Sequence, residues 1–364
     1  MLSPKIKRSI SRIIPFGVIW LLFSIVYTQL EKGILGNLDY YPSSGNPYDF
    51  NANIWITPIT SFLTGLGIGS IEILFLSKRF TQTSFGKKIL YKSIIYLLII
   101  LFFLFFLSAI ANSMQLRINV FDSQVWHNVW AFSFSYSFLS VGLYMAATII
   151  VSQFYIEVSE SLGQGVLNNF FTGKYHTPKE EERIFMFLDM KSSTQIAESL
   201  GHVKYFIMLR QYYSDLSDPI IKYSGEIYQY VGDEIVVSWK LKNGLQNNNC
   251  IQCFVAMKRA LKKQMKKYNE KFGVLPSFKA GFHLGKVTTG EIGVIKKNII
   301  FTGDVLNTTA RIQGLCNIYD VDILISDDLM KQLNLHSQFE IKALGENELR
   351  GRDEKIKLFT ILAT

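Results

Sequence analysis

Two acidic residues stand where apolar strand patterns stop. Asp189 ends the run "RIFMFLDM", and Asp233 lies between the alternating runs "EIYQYV" and "EIVVSW". The two alternating runs predict a hairpin with "VGDE" as its turn, in which Gly232 permits the bend and Asp233 lies at the tip. Carboxylates at adjacent strand ends repel one another unless a cation lies between them, and Mg²⁺ or Mn²⁺ prefers such oxygen ligands. The two aspartates therefore predict a two-metal site that binds phosphate.

Two helix segments are expected to complete this site. The stretch "MKSST" follows Asp189 and precedes a helical pattern, so the backbone N–H groups of Ser192, Ser193 and Thr194 can attract phosphate. In "GDVLNTTARIQ", residues 303–313, Asn307 and Arg311 are four residues apart and share one helix face. A guanidinium there can stabilise a phosphoryl transition state, and an amide can hold a sugar. Asp304 is expected to cap the same helix.

The elements that must position these residues are strands and helices in mixed order. Strand patterns cover about 183–190, 226–231, 234–239, 277–285, 287–293, 298–302, 321–326, 339–344 and 355–362. Helical patterns cover about 193–200, 203–223, 248–271 and 304–316. Hairpins and crossovers together predict an α+β fold with helices packed on a sheet.

Four ordered segments of this region resemble the catalytic domain of class III nucleotide cyclases. They are "FLDMKSST", "YVGDEIVVSW", "GFHLGKVTTGEIG" and "FTGDVLNTTARIQ". The resemblance implies a ferredoxin-like α+β fold and a head-to-tail homodimer with two Mg²⁺ or Mn²⁺ per active site. It assigns Asp189 and Asp233 to the metals, and we add the backbone carbonyl of Met190. It places Asn307 and Arg311 in the site from the other subunit.

The reaction that this resemblance implies is attack of the ribose 3'-hydroxyl on the α-phosphorus of a nucleoside triphosphate. Arg350 and Arg352 are its candidates for binding the outer phosphates. Gln229 and Ile300 stand where adenylyl cyclases of the family usually carry a lysine and an aspartate or threonine. Glutamine can hydrogen-bond a purine edge, whereas isoleucine cannot. We therefore expect ATP as substrate and cyclic AMP as product, with GTP or a pyrimidine triphosphate as the alternative.

The first 155 residues have a different composition from the rest. The chain of 364 residues is 49% hydrophobic and 18% charged, and its apolar residues concentrate in this part. Four segments, about 13–28, 55–76, 89–111 and 125–154, are long enough to cross a bilayer as helices. They predict an all-α four-helix transmembrane domain, 1–155, followed by a connector, 156–182, and the catalytic domain, 183–364. Loop lysines and arginines predict a multi-pass protein of the inner or plasma membrane with both termini and the catalytic domain in the cytoplasm.

Other residues of note carry structural interpretations. Cys250 and Cys253 lie in a helical run and are interpreted as buried core residues of a cytosolic domain. In "TGLGIGS", Gly65 and Gly69 are interpreted as points of close helix packing. Glu72 within the same span is either a residue near the membrane interface or part of a sensing site.

Other function classes are weighed against the enzyme. The net charge of +9 lies beside the spans and on one lysine-rich helix, so we expect no nucleic-acid partner. A degenerate, nucleotide-sensing cyclase domain is disfavoured by the presence of both acids, Asn307 and Arg311. A four-span transporter or channel would need paired polar residues in the spans, of which the sequence offers few beyond Glu72.

Overall fold

Long apolar helices make up the first of the two units into which the chain divides, Ile6–Asn168. The computed structural model describes residues 3–42, 48–76, 80, 83–163, 165–335, 339–349 and 354–362. The helices of this region are α1 (Pro4–Leu35), α2 (Phe50–Ile71) with a π-helical turn (Glu72–Leu76), α3 (Phe85–Leu116), α4 (Ser123–Ser133) and α5 (Tyr136–Leu162). Within the described residues, α1, α2 with its π turn, α3 and α5 are long and apolar enough to cross a membrane.

The predicted bounds of the fourth span, 125–154, are wrong because two helices replace it. The break falls at Phe134 and Ser135, where the Ser135 hydroxyl accepts a hydrogen bond from the Phe138 N–H at 3.2 Å and caps α5. A serine cap satisfies a backbone donor that has no partner within the new helix. The candidate span is therefore α5 alone, which runs to Leu162 and stops at Gly163, where φ is 97°.

Two glycines let α2 lie close to α1, as predicted. A Cβ atom at Gly65 would lie 2.7 Å from the Phe16 carbonyl oxygen, and one at Gly69 would lie 3.0 Å from the Phe16 Cβ. Phe16 and Trp20 are buried in this contact. Small residues allow such close approach between apolar helices, where dispersion forces rather than hydrophobicity drive association in a bilayer.

Ionisable and polar side chains form a buried charge cluster at the π turn, consisting of Glu72, Lys92, Tyr96, Gln153 and Glu157. Lys92 Nζ lies 2.7 Å from Glu72 Oε1 and 2.8 Å from Glu157 Oε1. The Tyr96 hydroxyl and the Gln153 amide both donate to Glu72 Oε2. All five residues are buried, so Glu72 is an ion-paired residue inside the helix bundle.

One sheet organises the second unit, Asn169–Thr364, to which the first five residues also belong. Its strands, within the described residues, are β1 (Lys179–Met190), β2 (Glu226–Val231), β3 (Glu234–Lys240), β4 (Phe278–Ile292), β5 (Asn298–Thr302), β6 (Ile323–Ser326), β7 (Glu340–Asn347) and β8 (Ile356–Leu362). The strand order is β2-β3-β1-β4-β6-β8-β7, and β5 pairs with β4. The β4–β6 pair is parallel, and the other pairs are antiparallel.

A short helix, α6 (Val166–Phe171), precedes β1. Helices cover both faces of the sheet, and three hydrophobic clusters lie among the described residues of this unit. These helices are α7 (Ser193–Leu200), α8 (His202–Lys222), α9 (Leu241–Leu245), α10 (Asn249–Lys263), α11 (Met265–Phe272), α12 (Asp304–Gly314) and α13 (Asp327–Met330). Alternate residues of β1 point to opposite faces, so Ile184 joins the larger core, which contains residues of α8 and α10, and Phe185 joins a smaller core that contains Val305 of α12. The predicted α+β fold is confirmed.

Several predicted elements need correction, and others are confirmed. The predicted strands 277–285 and 287–293 are one strand, because Lys286 does not end it but pairs with Glu182 across the ladder. The predicted helix 248–271 divides into α10 and α11 at Gln264. Cys250 and Cys253 are free thiols buried in α10, as predicted, and burial raises the pKa of the Cys250 thiol to about 12.

Candidate active site

The structure brings Asp189 and Asp233 together at one edge of the sheet. Strands β1 and β3 are antiparallel neighbours with Leu188 opposite Ile235, so the end of β1 lies beside the turn that opens β3. Burial and the adjoining Asp233 carboxylate raise the pKa of Asp189 above its ordinary value, while Lys279 acts in the opposite direction. Two carboxylates in contact disfavour double ionisation, and this is the electrostatic condition that a bound cation relieves.

The turn that carries Asp233 is held from outside the sheet. Gly232 has a φ of 61°, a left-handed conformation that glycine adopts without strain. Its carbonyl accepts a hydrogen bond from the Tyr213 hydroxyl of α8, and the Tyr213 ring lies 4.5 Å from the Tyr230 ring. Burial and the nearby Asp233 raise the pKa of Tyr213 to about 12, so this hydroxyl remains a donor at neutral pH. The predicted hairpin is confirmed.

The donor set fits a divalent cation. Asp233 Oδ2 is buried and has no hydrogen-bond partner within the described residues. Burial and both aspartates raise the pKa of Glu234, which shows that negative charge accumulates at this edge. An unpaired buried carboxylate oxygen beside a second carboxylate is an arrangement that Mg²⁺ or Mn²⁺ stabilises. Met190, whose carbonyl is a predicted ligand, is the last residue of β1.

Two polar side chains that sequence reasoning missed contact Asp189. Lys279 Nζ lies 3.4 Å from Asp189 Oδ2 and donates to Asn317 Oδ1 at 2.9 Å. The Gln313 amide donates to the same Asp189 oxygen at 3.3 Å. The sequence signal for Lys279 was a lysine inside the apolar run "FKAGF". Only the β1–β4 register, which pairs Asp189 with Lys279, shows which residue it contacts.

The stretch after Asp189 opens α7, as predicted. Ser192 has φ 55° and ψ 31°, an uncommon conformation for a residue with a side chain, and it precedes the first helical residue, Ser193. Ser193 is half-buried, whereas Ser192 and Thr194 are exposed. Backbone N–H groups in the first turn of a helix lack intrahelical acceptors, so this helix start offers donors three residues beyond Asp189.

Helix α12 presents Asn307 and Arg311. Asn307 is exposed, and Arg311 is half-buried with an Nη1 atom that is buried and has no hydrogen-bond partner within the described residues. A buried guanidinium nitrogen without an acceptor fits an anionic ligand such as phosphate. Asp304 is the first helical residue and Gly303 is the N-cap, so the predicted capping role of Asp304 is wrong by one position. Instead, Asp304 Oδ2 accepts a hydrogen bond from the Thr308 hydroxyl.

The two candidate base-binding residues lie on strands that touch. Gln229 is exposed on β2 and Ile300 is half-buried on β5. Their neighbours Tyr228 and Phe301 have ring centroids 4.8 Å apart, and the Tyr228 hydroxyl accepts from the Phe301 N–H at 3.3 Å. The remaining candidates, Arg350 and Arg352, lie outside the described residues.

The fold and the paired carboxylates define a catalytic domain of the nucleotide cyclase type. A model of the family "Adenylate and Guanylate cyclase catalytic domain" matches residues 176–363, which is more than half of the chain. The chain belongs to this family.

Individual relatives match this chain over part of its length. Adenylate cyclase 2 of Rhizobium meliloti (strain 1021) is 34% identical over 225 residues, which are 62% of this chain and 62% of that protein. Adenylate cyclase of Anabaena cylindrica is 26% identical over 185 residues, 49% of this chain and 36% of that protein. The chain therefore spans less than two thirds of the length of these relatives. A solved bacterial light-regulated adenylyl cyclase is 19% identical, covers 60% of this chain and 63% of its own, and has a TM-score of 0.51, which shows the fold alone.

Proposed function

We propose that this chain is a membrane-anchored adenylyl cyclase that converts ATP into 3',5'-cyclic AMP and pyrophosphate. The observation that carries the proposal is the contact between Asp189 and Asp233 at the ends of neighbouring strands, in a chain of the cyclase family. The relatives named adenylate cyclases support ATP as the substrate. Four candidate membrane-spanning helices support the anchor, with the catalytic domain and both termini in the cytoplasm.

Each proposed active site has two halves, and one chain supplies the first half, which is the metal site. Asp189, Asp233 and the Met190 carbonyl would hold two Mg²⁺ or Mn²⁺. When bound, these ions supply charge neutralisation for the triphosphate and a lower pKa for the attacking 3'-hydroxyl. Lys279 and Gln313 hold the Asp189 carboxylate in place through their contacts with Oδ2. The donors at the start of α7, at Ser192, Ser193 and Thr194, bind phosphate oxygens.

Helix α12 of a second subunit provides the other half. Arg311 delivers positive charge to the crowded phosphorus of the transition state, and its Nη1, which has no hydrogen-bond partner among the described residues, supports this role. Asn307 orients the ribose, which keeps the 3'-hydroxyl in position for attack. Because each chain carries both halves, a symmetric homodimer contains two complete sites.

A second candidate function is a cyclase with another base preference. Ile300 has no hydrogen-bonding group, so one side of the usual adenine recognition is missing, and Gln229 can both donate and accept. This observation favours GTP or a pyrimidine triphosphate as alternative substrates.

The test is product identification. The purified full chain is incubated with Mn²⁺ and equal amounts of ATP, GTP, CTP and UTP, and the products are identified by mass spectrometry. We expect cyclic AMP as the main product and its loss in Asp233→Ala. Tight ATP binding without any cyclic product would favour a nucleotide-sensing domain instead.

A further inference from the structure

Arg183 is a buried charged residue of the second unit whose role the active site does not explain. It lies on β1, and its side chain is 2% exposed. Its side chain points to the same face of the sheet as Phe185, which belongs to the smaller core. Arg183 lies six residues before Asp189, about 20 Å away along the strand. Burying a guanidinium is costly unless its donors are paired, so its partners show what this charge holds together.

The guanidinium connects β1 to β2 and β3. Nη1 donates to Glu226 Oε2 at 2.8 Å and to Ser238 Oγ at 3.0 Å. Glu226 begins β2, the strand that carries Gln229 and leads to Asp233, and it pairs with Ser238 of β3. Because β2 is the edge strand of the sheet and is interrupted by a bulge between Ile227 and Gln229, this ion pair supplements a weakened backbone ladder.

The same guanidinium packs on β5. Its central carbon lies 4.6 Å from the centre of the Phe301 ring, which in turn contacts Tyr228 of β2. Phe301 follows Ile300, and Tyr228 precedes Gln229. Arg183 therefore contacts, directly or through one ring, the strands on which both candidate base-binding residues lie.

A chain of hydrogen bonds continues from Arg183 into the segment before β1. Arg183 Nε donates to Glu181 Oε2 at 2.8 Å, and the Tyr175 hydroxyl donates to Glu181 Oε1 at 2.9 Å. Tyr175 is 4% exposed, and its carbonyl accepts from the Glu291 N–H of β4. Tyr175 of the segment before β1 is thus joined to Glu226 of β2 through Glu181 and Arg183 by three charge-assisted bonds.

We propose that Arg183 is a positioning residue that sets the spacing of β2 and β5, and so of Gln229 and Ile300, and joins these strands to the connecting segment through Glu181 and Tyr175. This inference rests on the proposed cyclase function. Arg183 does not touch the reacting atoms, because it lies in the middle of β1 and six residues before Asp189, about 20 Å from the proposed metal-binding edge. Its loss therefore changes how the nucleotide base is held rather than the chemical step.

Steady-state kinetics of the purified full chain with Mn²⁺ test the role. Arg183→Lys keeps the charge but loses the fork of donors that reaches Glu181, Glu226 and Ser238 together. We expect KM for ATP to rise about tenfold with kcat within about twofold, since binding is lost equally from ground and transition states. The ratio of kcat/KM for ATP to that for GTP should change by at least about threefold. Tyr175→Phe should raise KM in the same direction by about threefold.

Tyr268→Phe is the matched control for Tyr175→Phe. Tyr268 is also buried, and its hydroxyl donates to Asp215 Oδ2 at 2.9 Å, but it belongs to the larger core on the opposite face of the sheet. We expect this variant to lower the melting temperature without altering KM or the ATP to GTP ratio. The inference is overturned if Arg183→Lys keeps the wild-type KM and ratio, or if Tyr268→Phe shifts both as much.

A second variant and a binding measurement test the proposal where Arg183→Lys or the activity assay gives no answer. If Arg183→Lys does not fold, Glu226→Gln, altered at a half-exposed partner, carries the same expectation. A fluorescent ATP analogue gives the dissociation constant with Mn²⁺ on the same samples. Wild-type chain that binds this analogue without turnover would refute the proposed cyclase function alone. In that case, about tenfold weaker binding by Arg183→Lys supports the positioning role, and equal binding overturns it.

Discussion

At the scale of single residues, the aspartate pair is the feature on which the proposed cyclase activity depends. Repulsion between the Asp189 and Asp233 carboxylates costs free energy when both are ionised, and Asp233 Oδ2 has no hydrogen-bond partner within the described residues. Lys279 and Gln313 offset part of this cost at Asp189 only. The repulsion between the two carboxylates disfavours the folded state, and it favours the binding of a cation at this site.

A residue beyond the site gives a pH-dependent prediction. Burial acts to raise the pKa of Asp322, but hydrogen-bonded ion pairs with Lys191 and Lys258 hold it below its usual range. A depressed pKa contributes stability above the unfolded-state value, and this stability is lost as the pH falls through the folded-state value. Asp322→Asn should therefore lower the melting temperature at pH 7. The effect should correspond to less than about 1 kcal/mol, because the carboxylate is one third exposed and solvent screens it.

Thermal unfolding of the full chain at pH 7 and at acid pH checks this expectation. The difference between wild type and Asp322→Asn should shrink below about pH 4, where the carboxylate is protonated in the unfolded chain. A difference that stays constant over this range would show that the ion pairs do not stabilise the fold.

At the scale of elements, the approach of α12 to β4 decides where Arg311 lies. A Cβ atom at Gly281 would lie 2.4 Å from the backbone nitrogen of Gln313, a distance that no side chain tolerates. Gly281→Ala should push α12 away from the sheet and cost about 1–3 kcal/mol, as overpacking does in other cores. Because Gln313 and Arg311 move with the helix, cyclase activity should also fall by at least about tenfold.

Gly314 provides the matched control in the same helix. A Cβ atom there would meet nothing within 4 Å, so Gly314→Ala should leave activity unchanged and affect stability by less than about 1 kcal/mol. Melting temperature and initial rate of both variants measure the two effects. Equal behaviour of the two alanine variants would contradict the importance of this contact.

The buried charge cluster connects elements of the helix bundle, as the α12–β4 contact does in the sheet unit. Lys92 connects Glu72 of the π turn with Glu157 of α5, and its removal takes the paired cation from the buried Glu72 carboxylate, whereas Glu157 keeps Lys88 at 3.4 Å. Lys92→Met should destabilise the bundle by about 3–5 kcal/mol, the usual cost of breaking a buried ion pair from one side. Lys87→Met, at an exposed position of α3, should have little effect.

Thermal unfolding of the detergent-purified chain measures this loss of stability. A double variant that adds Glu72→Gln tests for partial rescue. Combining Glu72→Gln with Lys92→Met removes the carboxylate that lost its cation and should recover part of the lost stability. If Lys92→Met unfolds at the wild-type temperature, the cluster does not hold the helices together.

At the scale of the whole molecule, the proposed site requires two chains. Asp233→Ala disables the metal half and Arg311→Ala disables the other half, so each variant alone should be inactive. Mixed before assembly, equal amounts should form about half heterodimers, each with one intact site out of two. The mixture should therefore recover about a quarter of wild-type activity. Co-expression of the two chains with the same tag, purification of the mixed dimers and a cyclase assay measure this recovery, and its absence would contradict a shared site.

Local patterns were enough to predict much of this protein. Alternation and apolar length predicted the hairpin at Gly232, the helices after Asp189 and Gly303, the buried Cys250 and the α+β class. These features depend on the periodicity of one segment against solvent or lipid, and that information is present in the segment itself. The cyclase motifs likewise occupy short stretches, so their residues were identifiable before any contact was known.

Other features were decided only by contacts between distant segments. The pairing of Asp189 with Lys279 depends on strand register, and the tie from Arg183 to Glu226 and Phe301 depends on three strands meeting. Glu72 looked like an isolated charge until α3 and α5 supplied its partners. Burial makes such charges costly unless they are paired, but nothing in the local sequence states which distant residue completes the pair. The sequence by itself therefore determined the fold class and most of its elements, whereas tertiary packing determined the partners of each buried charge.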